Sequence, residues 1–430
     1  MQRKKRTPNV TKNQRKRENP RRKKIFNTTR HSTSVTLSEP AAPFYRPPPV
    51  QWPPRILMII DQFNIGGTET YTLSLTRELI RSGAVVAVAG KRGKIMDSFI
   101  GLGCPYYEVD FVLDNYEPDV QNAKLHLDVL KMIISTERIQ IIHAHQCPSG
   151  ELAKRAAEEM NIPFVFTVHG CYYDASHMQK LKPNTTFVSV SPAIEHSLNM
   201  DGITSHLIPN GLDAVEFSSY PEAYQQYLRS KLGIPNKAFV VMYVGRLTWE
   251  KADICKDVIQ ATSALRKKSG SSIVLLIVGG GIHQEQVEKL VKQERHRTGD
   301  SFIIYPGEML NMRACYAISD CVIGTGRIAL EAMACQRPLI CSGSKGYLGV
   351  VDASCYEQAW NSWFGDHHAA NSVPKGLLTA HIERIWNMDF EEKNAMVQSG
   401  RTFVMQRFHV AQITSKMLDV YRQLLFPKRD

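Results

Sequence analysis

Residues 55–89 read RILMIIDQFNIGGTETYTLSLTRELIRSGAVVAVA. The stretch opens with a short apolar run, 56–60, of the kind found in strands that are covered on both faces. A turn at Gly66 and Gly67 leads into apolar residues at helical spacing, and Ser82–Gly83 ends that helix. A second apolar run, 84–89, predicts the next strand. A strand, a helix and a second strand in this order predict a parallel sheet covered by helices.

The same alternation continues along the chain and then starts afresh. Further strands are predicted at 139–143, 163–168, 186–190 and 205–208, with helices near 119–135, 149–160 and 192–199. After the polar segment 213–237, strands are predicted at 239–244, 273–278, 302–305, 321–323 and 339–341. Two successive doubly wound units predict an α/β protein with two Rossmann-like domains that face a cleft.

The domain boundaries follow from this pattern. Residues 1–54 are basic and then rich in proline, which predicts a disordered tail. We expect an N-terminal domain over 55–212 and a C-terminal domain over 213–409. The last segment, 410–430, has apolar residues at helical spacing, so we expect it to dock as a helix that completes the first domain.

The net charge of +12 comes from the tail. Residues 1–30 contain 13 Lys or Arg and one acid, which leaves 40 basic and 40 acidic residues in the rest of the chain. The folded body is therefore neutral, and nucleic acid is not a predicted partner. The tail remains able to contact an anionic membrane surface.

Cysteine usage and hydropathy indicate the compartment. The nine cysteines form no CxxC pair, which is typical of free thiols in a reducing environment. No run approaches the roughly 18 apolar residues of a membrane span. These features predict a cytoplasmic protein, peripheral at most to the inner face of a membrane.

Ligands in open α/β sheets bind at the carboxyl ends of strands, so polar residues that follow strands are site candidates. The first such loop contains Gly66 and Gly67 ahead of a helix, where free backbone N–H groups attract an anion. It matches neither the P-loop nor the dinucleotide fingerprint, so a plain turn stays open as the alternative.

A second loop presents His169 and Gly170 after the strand at 163–168. A histidine at the end of a buried strand can contact a reacting centre. The nearby His143, His145 and Cys147 favour a structural or cleft-lining role over a zinc site, because no further ligand cluster accompanies them.

The third loop follows the strand at 239–244 and contains Gly245, Arg246 and Lys251. Arginine offers a planar fork to a phosphate and lysine a mobile point charge, so the pair suits a diphosphate. A solvated charged turn is the alternative.

The fourth loop runs through Gly324, Thr325, Gly326 and Arg327 into a helix that contains Glu331. The glycines expose backbone N–H groups at the start of that helix. A carboxylate among apolar neighbours needs hydrogen-bond donors. Ribose hydroxyls or an internal ion pair would both supply them, and the sequence leaves both possibilities open.

Together these loops resemble the retaining glycosyltransferases of family 4, which have the GT-B fold of two Rossmann-like domains. The resemblance covers about 55–425 and rests on motifs that occur in family order: Gly66-Gly67, Thr167-Val168-His169-Gly170, Val190-Ser191, Pro209-Asn210-Gly211-Leu212-Asp213, Gly245-Arg246-Leu247 with Lys251, Val278-Gly279-Gly280-Gly281, and Leu330-Glu331-Ala332-Met333-Ala334-Cys335 followed by Pro338.

The resemblance implies a hexosyltransferase that retains configuration and needs no obligatory metal or cofactor. It also implies that 55–212 is the acceptor-side domain and that 213–409 is the nucleotide-sugar-binding domain. Its donor would be a nucleotide-diphosphate sugar carrying a hexose or N-acetylhexosamine, and its acceptor a cell-envelope glycan or a lipid-linked molecule. By this resemblance, Arg246 and Lys251 would bind the diphosphate and stabilise the leaving group, and Glu331 would bind the ribose. His169 would lie beside the anomeric carbon, and Gly66 and Gly67 would close on the donor phosphate. The backbone of 324–327 would contact the sugar and the phosphates.

The sequence also departs from the family pattern. Ile323 stands where the family commonly has a first glutamate, Arg327 replaces a small or apolar residue, and Gln336-Arg337 replaces a Gly-containing pair. These changes bear on the identity of the donor sugar. A nucleotide-sugar epimerase of the same fold and a catalytically silent binding protein remain the alternatives to a transferase.

Overall fold

A computed structural model of the chain describes residues 49–113, 117–171, 173, 175–269, 273–367 and 376–427. The predicted tail, 1–54, lies outside these residues up to position 48. From Trp52 the chain is already packed, since this ring contacts the first domain and the Arg422 guanidinium lies 4.5 Å from its centroid. The packed region therefore begins a few residues before the predicted start at Arg55.

The first domain is built on a parallel sheet of seven strands in the order β3-β2-β1-β4-β5-β6-β7. The strands are β1 (Arg55–Gln62), β2 (Val85–Lys91), β3 (Tyr106–Glu108), β4 (Ile141–Ala144), β5 (Phe164–Val168), β6 (Thr185–Ser189) and β7 (Ser205–Leu207). The helices are α1 (Gly67–Arg81), α2 (Met96–Gly101), α3 (Ala123–Thr136), α4 (Ser149–Glu159), α5 (Ala175–Leu181) and α6 (Pro192–Met200).

The second domain has a sheet of six strands in the order β10-β9-β8-β11-β12-β13. Its strands are β8 (Phe239–Val244), β9 (Ile273–Val278), β10 (Ile303–Gly307), β11 (Cys321–Gly324), β12 (Leu339–Gly343) and β13 (Gly346–Val350). Its helices are α7 (Glu222–Lys231), α8 (Trp249–Ser269), α9 (Gln284–Thr298), α10 (Met312–Ala317), α11 (Arg327–Ala334), α12 (Tyr356–Asn361), α13 (Leu377–Asn387) and α14 (Phe390–Phe408).

The expected architecture of two α/β domains is confirmed, with one difference in the second sheet. The strand β13 pairs antiparallel with β12 at the sheet edge. Only two residues, Ser344 and Lys345, separate these strands. Such a connection allows a hairpin, whereas a parallel neighbour needs a crossover of a dozen or more residues.

Burial on both faces of each sheet explains why the strand sequences are apolar throughout. One face of the first sheet packs Leu57 with Phe166, and the other packs Ile56 with Tyr71 of α1. After α1 the chain turns at Gly83, whose φ of +89° lies in the region that favours glycine.

The chain crosses between the domains twice, and the two crossings are hydrogen-bonded to each other. The Leu212 N–H donates to Phe408 O at 2.7 Å, and the Val410 N–H donates to Leu212 O at 3.0 Å. A Cβ at Gly211 would lie 3.0 Å from the Val410 Cα, so a side chain there would press against the second crossing.

Beyond the second crossing, α15 (Val410–Leu425) packs on the first domain. Its residues Ile413, Met417 and Tyr421 are buried in the same cluster as Ile56. In the parts of the chain described above, no helix is both long and apolar enough to cross a membrane.

Candidate functional site

The Gly-Gly loop of the first domain meets the loop that follows β8 of the second. A Cβ at Gly66 would lie 2.2 Å from Arg246 Nη2 and 2.3 Å from Glu69 Oε2, so a larger residue there would displace the ends of these two side chains. No described atom lies within 4 Å of a Cβ built at Gly67, which leaves that side of the loop open. Arg246 therefore reaches across the cleft to the start of α1.

Glu69 is the carboxylate opposite Arg246. It lies in the first turn of α1 and is buried, and its Oε1 accepts a hydrogen bond from Gln146 Nε2 at 3.0 Å. Within the described residues its Oε2 has no hydrogen-bond partner. Burial raises the pKa of Glu69, while the Arg246 charge opposes that rise.

A second carboxylate, Asp61, lies behind Glu69 at the end of β1. Its Oδ1 accepts a hydrogen bond from the Ser149 N–H at 2.9 Å, and its own N–H donates to Gln146 Oε1 at 2.8 Å. Burial raises the pKa of Asp61 to about 6, and the Glu69 charge adds to this rise. The first domain thus presents two linked acids beside the cation of the second.

Lys251 has an acidic partner of its own. Its Nζ lies 3.0 Å from Asp366 Oδ1 and 3.2 Å from Oδ2, and Ser344 Oγ donates to Oδ1 at 3.3 Å. Burial opposes ionisation of Asp366, but the charges of Lys251 and His367 and the hydrogen bonds from Lys251 and Ser344 together outweigh it and hold the pKa below its ordinary value. Both side chains keep about a quarter of their surface exposed, at 27% for Lys251 and 23% for Asp366.

The Gly-rich loop that follows β11 starts α11. Gly324 ends the strand, and Gly326 occupies the N-cap with a φ of +58°. A Cβ at Gly326 would lie 3.0 Å from Trp363 Nε1, and Thr325 Oγ1 donates to Phe364 O. The segment 362–367 therefore packs directly against the loop that the sequence assigns to the donor.

Each carboxylate oxygen of Glu331 accepts a hydrogen bond from a protein donor. Its Oε1 accepts from Arg327 Nε at 2.8 Å and its Oε2 from the Tyr316 hydroxyl at 2.8 Å, and all three side chains are buried. Burial raises the pKa of Glu331, with Arg327 and Tyr316 opposing it. Of the two possibilities left open by the sequence, the geometry contains the ion pair, and ribose binding stays a prediction.

The Arg327 guanidinium is committed to the domain junction. Besides Glu331 it donates to Gly211 O at 3.1 Å and to Ser74 Oγ of α1 at 3.1 Å. The side chain therefore joins α11, the first crossing and α1. The predicted donor contacts of this stretch rest on its backbone.

His169 lies at the end of β5, facing the cleft. Its Nε2 is 3.2 Å from His145 Nδ1, and its ring meets Tyr71 edge-on at a centroid distance of 5.0 Å. Burial lowers the pKa of His169 to about 3, and His367 adds to this effect. A ring with so low a pKa is neutral near pH 7, so it can take part in hydrogen bonds but carries no charge.

The other histidines in this region have structural partners. His143 Nδ1 lies 2.6 Å from the Tyr421 hydroxyl and its Nε2 lies 2.7 Å from Thr167 Oγ1, so both ring nitrogens are occupied. Throughout the described ranges, no group of three or more His, Cys, Asp or Glu side chains is placed to hold a metal ion.

Four acidic or basic groups at this cleft were not predicted from the sequence: Asp61, Glu69, Asp366 and His367. Glu69 had a signal, because an acid in the first turn after a glycine pair points toward whatever the loop binds. No signal in the sequence marks Asp366 or His367, because the stretch 361–367 matches no motif. His367 Nδ1 lies 2.9 Å from Ser191 Oγ, which joins this stretch to the first domain. Ile323 is fully buried within β11, so it presents no group to the cleft.

Comparison with known proteins agrees with this architecture. The chain is 22% identical over 341 residues to TuaC of Bacillus subtilis, a glycosyltransferase assigned to teichuronic acid biosynthesis, covering 69% of this chain and 80% of that protein. It is 25% identical over 239 residues to alpha-monoglucosyldiacylglycerol synthase of Acholeplasma laidlawii, covering 47% of this chain and 58% of the relative.

A solved structure shows the same fold. The crystal structure of Anabaena HepE in complex with UDP-glucose superposes with a TM-score of 0.68 at 18% identity, covering 86% of this chain and all of HepE. Two family models match successive parts of the chain, Glycosyltransferase Family 4 over 65–216 and Glycosyl transferases group 1 over 225–357. The chain therefore has the GT-B fold, and each of its two domains matches a family model of glycosyltransferases.

Proposed function

We propose that the protein is a hexosyltransferase that moves a hexose or N-acetylhexosamine from a uridine diphosphate sugar to a hydroxyl of a cell-envelope glycan or lipid-linked acceptor, with retention of configuration. The observation that carries this proposal is the position of Arg246 and Lys251. Both follow β8, and both side chains extend toward loops of other elements, at Gly66 and at Asp366. Two cations beside an open glycine loop and a helix N-terminus suit a diphosphate.

In the proposed reaction the bond between the anomeric carbon and the diphosphate oxygen breaks, and the acceptor oxygen forms a bond on the same face. The acceptor proton leaves with the released diphosphate. Arg246 and Lys251 stabilise the negative charge that develops on the leaving oxygen. Electrostatic stabilisation of this kind is usually the largest single contribution to the rate enhancement of an enzyme. Neutral His169 hydrogen-bonds near the anomeric carbon, and the two cations make a metal unnecessary.

The proposed substrates take support from relatives. HepE was crystallised with UDP-glucose, which favours a uridine diphosphate sugar as donor. TuaC is assigned to teichuronic acid biosynthesis, and the Acholeplasma enzyme is named for a glucosyl lipid. An acceptor at the cell envelope accords with both names.

The first experiment is a thermal-shift and calorimetric screen of the full chain against UMP, UDP, UDP-glucose and UDP-N-acetylglucosamine. We expect stabilisation by a diphosphate sugar, with less by UMP, because only the diphosphate engages both cations. The product anomer is then assigned by NMR from reactions run with EDTA. Absence of any shift contradicts the proposal. A free, altered sugar formed without acceptor indicates an epimerase, and binding without turnover on a broad acceptor panel indicates a silent binding protein.

We further propose that the enzyme is cytoplasmic and that its basic tail, 1–54, holds it at the inner face of a membrane. The support is the concentration of 13 Lys or Arg within residues 1–30. Deleting residues 1–48 should reduce binding to phosphatidylglycerol vesicles, and the binding of the full chain should weaken with salt. Phosphatidylcholine vesicles are the control. Equal vesicle binding by the full and shortened chains contradicts the proposal.

A further inference from the structure

Asp366 is a partly exposed carboxylate at the edge of the proposed diphosphate site. Both of its oxygens lie within 3.2 Å of Lys251 Nζ, and Ser344 Oγ donates to Oδ1. A Cβ built at Gly326 would lie 3.6 Å from Asp366 Oδ2, which places this oxygen beside the start of α11. The carboxylate is therefore fixed by its neighbours while 23% of the side chain remains accessible.

A carboxylate beside a diphosphate needs a ligand of a different kind. An ionised carboxylate only accepts hydrogen bonds, as a phosphate does, so Asp366 cannot bond to the diphosphate itself. Lys251 carries three N–H donors and can bind a phosphate oxygen while it keeps Asp366 in place. The group that a carboxylate at this position binds must supply hydrogen-bond donors close to the phosphates, as hydroxyls do.

The direction in which Asp366 faces selects among the hydroxyls of a nucleotide sugar. Asp366 and the adjacent His367 face the first domain, where His367 Nδ1 lies 2.9 Å from Ser191 Oγ. The Cys171 thiol and the His169 ring, both after β5, lie within electrostatic range of Asp366 and His367 respectively. Ribose is assigned to Glu331, which lies within α11 and is bonded to Arg327 and Tyr316. The hydroxyls of a nucleotide sugar that are left for Asp366 are therefore those of the transferred sugar.

From this geometry we infer that Asp366 binds hydroxyls of the donor hexose and so determines which sugar the enzyme accepts. The inference rests on the proposed function and deepens it, because it assigns the sugar end of the donor to a residue from the segment after α12. Asp366 contacts substrate in this assignment, and Lys251 connects it to the diphosphate.

The test compares affinities for UDP and for UDP-glucose or UDP-N-acetylglucosamine, whichever the wild type binds more tightly. In Asp366→Asn we expect the affinity for UDP to stay within about threefold, while the affinity for the UDP-sugar falls by roughly 10- to 100-fold, the scale of a lost hydrogen bond to a charged group. Asp352→Asn makes the same chemical change in a loop of the same domain and should alter neither affinity.

Other outcomes overturn the inference. If UDP and UDP-sugar weaken equally, Asp366 only orients Lys251. If UDP binds more tightly, the carboxylate occupies the phosphate position and is displaced by the donor. If the wild type binds UDP but Asp366→Asn keeps the wild-type difference in affinity between UDP and the UDP-sugar, the assignment of Asp366 is wrong while the proposed function stands. If the wild type binds no nucleotide, the proposed function is overturned as well.

A second variant covers the case in which Asp366→Asn does not fold, as judged by circular dichroism and thermal melting. Asp366→Glu keeps the charge but moves the carboxylate by one methylene. We expect it to change the ratio of affinities for UDP-glucose and UDP-galactose by at least about threefold, with UDP affinity retained. An unchanged ratio contradicts a role in sugar recognition.

Discussion

Each of the two cations proposed to bind the donor has a carboxylate beside it. Arg246 faces Glu69, and Lys251 is paired with Asp366. An unpaired cation in a partly closed cleft is costly, so the acids stabilise the cations before a donor arrives. The motif around Gly245 is enough to predict the cations. The acids come from α1 and from the segment after α12, so only the folded chain brings them together.

Arg246→Ala should reduce turnover by at least about 10²-fold, because the guanidinium is proposed to stabilise the charge on the leaving diphosphate. Turnover is measured at saturating donor, so that weaker donor binding does not account for the loss. Arg92→Ala, which removes an exposed arginine paired with Asp97 at 3.6 Å, is the matched control. Near-wild-type turnover in Arg246→Ala would reject this role.

Glu331→Ala separates the two roles that remain for this residue. We expect UDP affinity to fall by about tenfold if the carboxylate binds ribose, while the affinity for inorganic pyrophosphate, which lacks ribose, is retained. The variant should also lose roughly 3–5 kcal/mol of stability, because Arg327 is left buried and unpaired. Calorimetry measures the affinities and denaturant unfolding the stability.

Tyr316→Phe is the control for that experiment, since it removes the 2.8 Å hydrogen bond to Glu331 Oε2 and keeps the carboxylate. It should lower stability by about 1–3 kcal/mol and leave UDP affinity unchanged. An unchanged UDP affinity in Glu331→Ala would leave Glu331 as a structural ion-pair partner only.

At the scale of secondary-structure elements, the buried strands were the most predictable part of the fold. The expected strands at 239–244 and 273–278 coincide with β8 and β9, because both are continuous apolar runs with all six residues buried. The short edge strand β3, of three residues with one exposed, has too little pattern to be found. The helix α7 lies inside the polar segment 213–237 and was not predicted. None of its residues is buried, so no apolar stripe marks it in the sequence.

The strand β13 was missed for a different reason. Its sequence, GYLGV, contains two glycines, and Gly349 has a φ of +76°, which weakens any strand pattern. The loop residues of the site were predictable where they follow strands. The segment 362–367 follows a short helix and reaches the site only through tertiary packing against Gly326 and Thr325.

At the scale of the whole molecule, polar contacts join the two domains on several sides of the cleft. Arg77 of α1 pairs with Glu216, Arg81 with Asp213 at 3.2 Å, and Lys94 with Glu308. Partly exposed ion pairs of this kind contribute little to stability and are weakened by salt. Buried hydrogen bonds from Arg327 to Ser74 and between His367 and Ser191 also join the domains, so the closed arrangement combines weak pairs at the edges with buried contacts near the site.

Buried histidines predict how the stability of the whole protein depends on pH. Burial lowers the pKa of His143 to about 3, and His145 and His169 shift in the same direction. At these histidines the unfolded chain binds protons below about pH 6.5, while the folded chain does not. The contribution of the neutral histidines to the free energy of unfolding is therefore fully present above pH 6.5 and is lost as the pH falls toward 3. Asp61, with its pKa raised to about 6, acts in the opposite sense between pH 6 and 4.

The histidine contribution can be isolated with His143→Gln, which keeps a polar side chain between Thr167 and Tyr421 but cannot titrate. We expect the free energy of unfolding to fall less steeply between pH 6 and 4 than in the wild type, by about 1.4 kcal/mol per pH unit, the value for one proton. His206→Gln, at an exposed position, should leave the wild-type slope unchanged. If His143→Gln keeps the wild-type slope, His143 takes up its proton in the folded protein, and the acid sensitivity comes from other groups.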